Sequence, residues 1–83
     1  MKVKVEMVLS TPATQSHKLS MRSAAKALTN NAKSINIYVS KKNERNITAS
    51  FSMKNAAQYK VVDLIAREFR DSLHDYEDIA ISF

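Results

Sequence analysis

Hydrophobic and polar residues alternate in four separate stretches of this chain, and two longer stretches repeat with a helical period. Val3, Val5, Met7 and Leu9 alternate with Lys2, Lys4, Glu6 and Val8, which predicts a strand with one buried face. Ser10 to Lys18 is polar, contains the only proline and reads as a loop. Ser20 then reads as the N-cap of a first helix. Met21, Ala24, Ala25 and Leu28 follow it at i, i+3, i+4 and i+7, the stripe of an amphipathic helix. Asn30 and Asn31 are expected to end that helix in the left-handed conformation that glycine usually supplies.

Beyond the first helix, Ile35, Ile37 and Val39 alternate with Asn36, Tyr38 and Ser40, a second strand. Lys41 to Glu44 is a predicted turn with Asn43 as its left-handed residue. Ile47, Ala49, Phe51 and Met53 alternate with Asn46, Thr48, Ser50 and Ser52, which predicts a third strand in an antiparallel hairpin with the second. From about Asn55 to Tyr76 the period is helical. Val62, Ile65, Phe69, Leu73 and Tyr76 share one face, with Lys60, Asp63, Arg67, Arg70, Asp71 and His74 opposite. Ile79, Ile81 and Phe83 alternate with Ala80 and Ser82 in a closing strand. The expected fold is α+β, an open-faced sandwich. A four-stranded antiparallel sheet in the order β-α-β-β-α-β carries two helices on one face. The pattern predicts one domain over residues 1–83, and leaves open which strands are neighbours.

Composition narrows the chemistry. The chain has no cysteine, so thiolate metal sites, disulfides and cysteine nucleophiles are excluded. Two histidines, His17 and His74, are too few for a metal site without carboxylates, and no metal or cofactor is expected. The absence of glycine removes any glycine-rich phosphate loop. No apolar run approaches bilayer length, and the N-terminal Lys-Val alternation does not read as a signal peptide, so a cytoplasmic location without membrane contact is expected.

The net charge of +5 is unevenly spread. Residues 1–60 hold eleven Lys or Arg against Glu6 and Glu44, whereas residues 61–83 hold Arg67 and Arg70 against six acids. Such a basic portion suits an anionic partner, protein or nucleic acid. The uncovered sheet face argues against base stacking of the kind used by RNA-recognition sheets, because its first and third strands show no aromatic there, leaving Tyr38 alone. No residue set has the spacing of a catalytic triad, and no enzymatic role is expected. His17, Lys18, Ser20 and Arg22 cluster where the first helix is expected to start. Free N–H groups there favour an anion.

At this junction Leu19 to Ala25 reads L-S-M-R-S-A-A. It resembles the L-H-x-R-P-A-A motif of HPr, the histidine-containing phosphocarrier of the bacterial sugar phosphotransferase system. Glu6 to Pro12 also resembles that family's first strand and loop, and the likeness spans roughly residues 3–57. Ser20 stands where the family has its phosphoryl-accepting histidine, and Ser23 where it has proline. A serine hydroxyl would form a stable ester in place of a labile phosphoramidate. The resemblance therefore implies a non-catalytic regulatory module acting through protein–protein contacts, with Arg22 as the phosphate-side contact. The alternatives are a phosphocarrier using His17 and a basic nucleic-acid- or ribosome-associated domain. The resemblance also points to Ser50 or Ser52 as a regulatory phosphosite.

Overall fold

A computed structural model describes residues 1–54 and 58–83, and the side chains of all of these except Gln58 and Tyr59. The elements are β1 (Lys2–Leu9), α1 (Gln15–Leu28), a 3₁₀ turn (Ala32–Ser34), β2 (Asn36–Val39), β3 (Asn46–Ser52), α2 (Gln58–Ser72) and β4 (Tyr76–Ser82). The four strands form one sheet in the order β2-β3-β1-β4, and every neighbouring pair is antiparallel. Each βαβ unit is thus split by a strand of the other, the arrangement also called ferredoxin-like.

Alternation in the strands puts the core on one side. Val3, Val5, Met7 and Leu9 of β1 have no exposed surface, and in β3 Ile47, Ala49 and Phe51 have none either. Met21, Ala24 and Ala25 of α1 and Val61, Ile65 and Phe69 of α2 close over them in one cluster. The two alanines keep α1 close to the sheet. Phe51 and Phe69 stack with ring centroids 6.0 Å apart at 19°, a sheet-to-helix aromatic contact of the favourable offset kind.

Several boundaries differ from expectation. Helix α1 begins at Gln15, and its N-cap is Thr14, not Ser20. The Thr14 side chain and the His17 ring satisfy each other's backbone N–H groups, a capping box with histidine in the place of the usual Glu or Gln. Ser20 consequently lies in the second turn. The helix ends at Thr29, in extended conformation with φ −74° and ψ 148°, and its hydroxyl donates to the Ser52 carbonyl at 2.6 Å. Neither Asn30, Asn31 nor Asn43 is left-handed, since no described residue has positive φ. Asn31 caps the 3₁₀ turn through Lys33 N–H at 3.1 Å, and Asn43 closes the β2–β3 turn by accepting from Arg45 N–H at 3.0 Å.

The expected start of the second helix near Asn55 lies outside the described residues. Its end is earlier than expected, at Ser72, which leaves His74 exposed in the turn after the helix. Tyr76 belongs to β4, where it pairs with Leu9 across a register shift between Val8 and Leu9. Phe83 is not a core residue but is 48% exposed. Helix α2 is nevertheless fastened through Phe69, whose side chain is wholly buried. Phe69→Ala should cost about 3–5 kcal/mol of stability by removing both the transfer gain and the stack, measured by urea unfolding. A loss below about 1 kcal/mol would mean that the core closes over the gap.

Candidate functional site

The start of α1 is a closed hydrogen-bonded unit. Thr14 N–H donates to His17 Nδ1 at 2.9 Å, and His17 N–H donates to Thr14 Oγ1 at 3.4 Å. His17 Nε2 meets Asp75 Oδ2, in the turn before β4, at 2.8 Å. Because Thr14 N–H points into Nδ1, that nitrogen presents its lone pair, and Nε2 carries the proton given to Asp75. The His17 hydrogen bond favours the charged carboxylate and holds Asp75 below its ordinary value of 3.8. A second tie runs parallel to this one. Arg45 donates to the carbonyls of Leu9 and Ser10, each at 3.1 Å, and pairs with Glu77 at 3.0 Å. Asp75 and Glu77, though exposed, therefore anchor the loops at this end of the sheet.

Thr14 Oγ1 also lies 3.1 Å from His17 Nδ1. Hydroxyl, imidazole and carboxylate then form a chain with the connectivity of a nucleophile, a base and an orienting acid. The backbone N–H of Thr14 already occupies the lone pair a base would use, and the ring side chain is only 12% exposed. The chain works as a cap and a tether. Among the described residues no group of three His or carboxylate side chains is placed to hold a metal, and no described helix is long and apolar enough to cross a membrane.

The four residues expected to form an anion site are thus separated by function. His17 is committed to the cap. Ser20 is half-buried one turn further along. Lys18 is half-buried at the margin of α1, and Arg22 and Lys26 follow it at i+4 and i+8, both exposed on the outer side. Three cations then follow one another at about 6 Å along the helix axis. Leu19 lies beside them with 59% of its surface exposed, more than Tyr38, Leu64 or Phe83. The ion pairs His17–Asp75 and Arg45–Glu77 involve none of the three cations. No acid occurs between Glu6 and Glu44 to neutralise them. Lys26 and the exposed Leu19 were readable in the sequence once the helix was begun at Gln15. Starting it at Ser20 put Leu19 outside it and hid the stripe.

The open sheet face is polar. The register lines up Asn36, Ser50, Lys4 and Ser82 in one row and Tyr38, Thr48, Glu6 and Ala80 in the next. Thr48, between Tyr38 and Glu6, is buried there despite facing away from the helices. Ser50 is half-buried within its row. Ser52 is bound into a hydroxyl network, donating to Asn30 Oδ1 at 3.0 Å and approaching Ser34 Oγ at 3.1 Å. Comparison with protein-family models, curated protein sequences and solved structures finds no match to this chain.

Two measurements check the tether. Thr14→Ala should lower stability by about 1 kcal/mol, the usual worth of an N-cap hydroxyl, read from the unfolding midpoint. For Asp75, a carboxyl held below its ordinary value favours the folded chain wherever it is ionised, so that contribution stands above 3.8 and is lost as pH falls through the lower folded value. Thermal unfolding of the native protein and of Asp75→Ala should therefore converge at the acid end. A gap unchanged throughout that acid range would show that the His17 contact adds nothing.

Proposed function

We propose that this protein is a non-catalytic binding module that acts through protein–protein contacts, with the outer face of α1 as its docking surface. The observation that carries the reading is the unneutralised row Lys18, Arg22 and Lys26 flanking the exposed Leu19. Cations alone would suit any polyanion. A leucine standing out among them gains nothing from a phosphate backbone. It gains from an apolar hollow, and so the fitting partner is a protein surface with acidic residues around a small hydrophobic recess. The face includes the segment Leu19 to Ala25 that resembles the phosphocarrier family, and the regulatory role implied by that resemblance has the same character. The proposal rests on the helix face, not on the resemblance. Use of His17 as a phosphoryl carrier is disfavoured by the engagement of both its ring nitrogens.

The test compares affinity isolation from a lysate of the source cells by the native protein, by Arg22→Glu with Lys26→Glu, and by Leu19→Ser. All three positions lie outside the core, so the variants should unfold with the native midpoint. A specific retained protein should be lost with the charge reversals and weakened at least several-fold with Leu19→Ser. Equal retention by all three overturns the reading.

A second reading, nucleic-acid binding, is favoured by a shallow depression on the open sheet face, lined by Lys2, Lys4, Asn36, Tyr38 and Phe83. Two cations and two partly exposed aromatic rings there could track a phosphate backbone and stack single-stranded bases. Fluorescence anisotropy with a single-stranded oligonucleotide should then show binding that falls steeply with salt and is lost in Lys4→Glu. Absence of binding at low salt removes this reading and leaves the first intact.

A further inference from the structure

We propose that β4 is a docking edge for a second copy of this chain, joining two four-stranded sheets into one continuous antiparallel sheet of eight strands. The two edges of the sheet are treated differently. Strand β2 is short, follows the 3₁₀ turn and leads into Lys41 and Lys42, and short length and lysine are common protections for an edge. Strand β4 spans seven residues, contains neither proline nor lysine, and has its one irregularity at its beginning, opposite Val8 and Leu9.

The direction of the free backbone groups follows from two independent contacts. Leu9 N–H donates to the Arg45 carbonyl at 2.7 Å, on the side of β3. Backbone groups alternate along a strand, so the odd residues of β1 serve β3 and the even ones serve β4. Lys4, Glu6 and Val8 face Ser82, Ala80 and Asp78. Asp78, Ala80 and Ser82 are thus consumed, and Ile79 and Ile81 direct their N–H and C=O groups outward; before the register shift the parity reverses, and Asp75 accepts from Ser10 N–H at 2.9 Å. Ile79 N–H agrees with this assignment, since it donates to its neighbour Asp78 Oδ1 at 2.9 Å and not to β1. That contact is a local substitute which a pairing strand displaces. No side chain among the described residues meets the outward N–H group of Ile81.

The side chains beside this edge indicate the occupant. Ile79 and Ile81 are only half-buried, and with Val62 and Ala66 of α2 they floor a groove along the edge. The groove is walled by Asp63, Arg67, Arg70 and Asp71, two acids and two bases. A wall of zero net charge selects neither a basic nor an acidic partner. It is self-complementary. A two-fold axis normal to the sheet, through the middle of β4, makes the paired β4 strands antiparallel and keeps both α2 helices on the same side. The Asp63 end of one α2 then approaches the Arg70 end of the other, over a floor in which the isoleucines of both copies are shared. This surface lies away from the outer face of α1, so docking there and pairing here are independent.

Sedimentation velocity from low to high micromolar concentration tests the proposal. The native chain should shift reversibly from monomer to dimer. Ile81→Lys, with far-UV circular dichroism unchanged, should remain monomeric throughout. Arg70→Asp, which changes an exposed residue and spares the core, should weaken association at least tenfold. Combining Arg70→Asp with Asp63→Arg should restore it, because the swapped charges again face opposite signs. If Ile81→Lys does not fold, the Arg70 and Asp63 series decides alone. A chain that stays monomeric at all concentrations overturns the proposal and leaves this edge to a foreign strand. A dimer that survives Arg70→Asp at low salt, or one that dissolves on Arg22→Glu instead, overturns it as well.

Discussion

The central strand β1 divides its backbone between two neighbours while sending every second side chain into one core. Its odd residues bond to β3 and its even residues to β4, and the odd side chains Val3, Val5, Met7 and Leu9 are all fully buried. A slip of one residue would move all four to water and all the even residues beneath the helices. Lys2, Lys4 and Glu6 would then be buried without partners, at a cost far exceeding the stability of a domain this small. The register of β1 therefore fixes the sheet, and the sheet fixes where both helices lie.

The orientation of α1 depends on this frame and on one polar connection. Ala24 and Ala25 permit close approach to the sheet, and Met21 anchors the inner side. Thr14, His17 and Asp75 tie the start of the helix to the turn before β4. With the inner side and the start both held, the helix presents Leu19, Arg22 and Lys26 outward, with Lys18 half-buried at their margin. Lys18 in the first turn opposes the helix dipole, whereas Lys26 in the last turn complements it. An exposed leucine beside them does not serve the core. The exposed leucine and its neighbouring cations are the features on which the proposed docking role rests.

The strands and the shared core were legible because alternation is a strong signal when three or four apolar residues recur, as in Val3 to Leu9 and Ile47 to Phe51. Helix boundaries were harder to read. The capping box at Thr14 has an imidazole in the place of the usual Glu or Gln, so the pattern does not mark Thr14 as the cap, and the polar residues 15–18 resemble loop although they are helical. Leu73 and Tyr76 continue the helical spacing of α2, yet the chain leaves the helix at Ser72 because Leu73 can remain buried in the turn and Tyr76 can pair with Leu9. Spacing alone does not separate those outcomes. The candidate site was legible in part: Lys18 and Arg22 were singled out, but for an anion site at a helix start that the protein fills with its own side chains. Strand order, and with it the unprotected edge, is a long-range property that local pattern does not encode.

The chain contains no glycine, and none of its described residues has positive φ. Its connections are instead closed by side chains: Thr29 on Ser52, Asn31 on Lys33, Asn43 on Arg45. A Cβ fits without strain at each of these bends. Mutational drift in the loops is therefore limited by the loss of single hydrogen bonds and not by backbone sterics. Over evolutionary time such a fold can exchange most of its loop residues, and it carries no obligatory glycine at its bends by which descendants could be aligned.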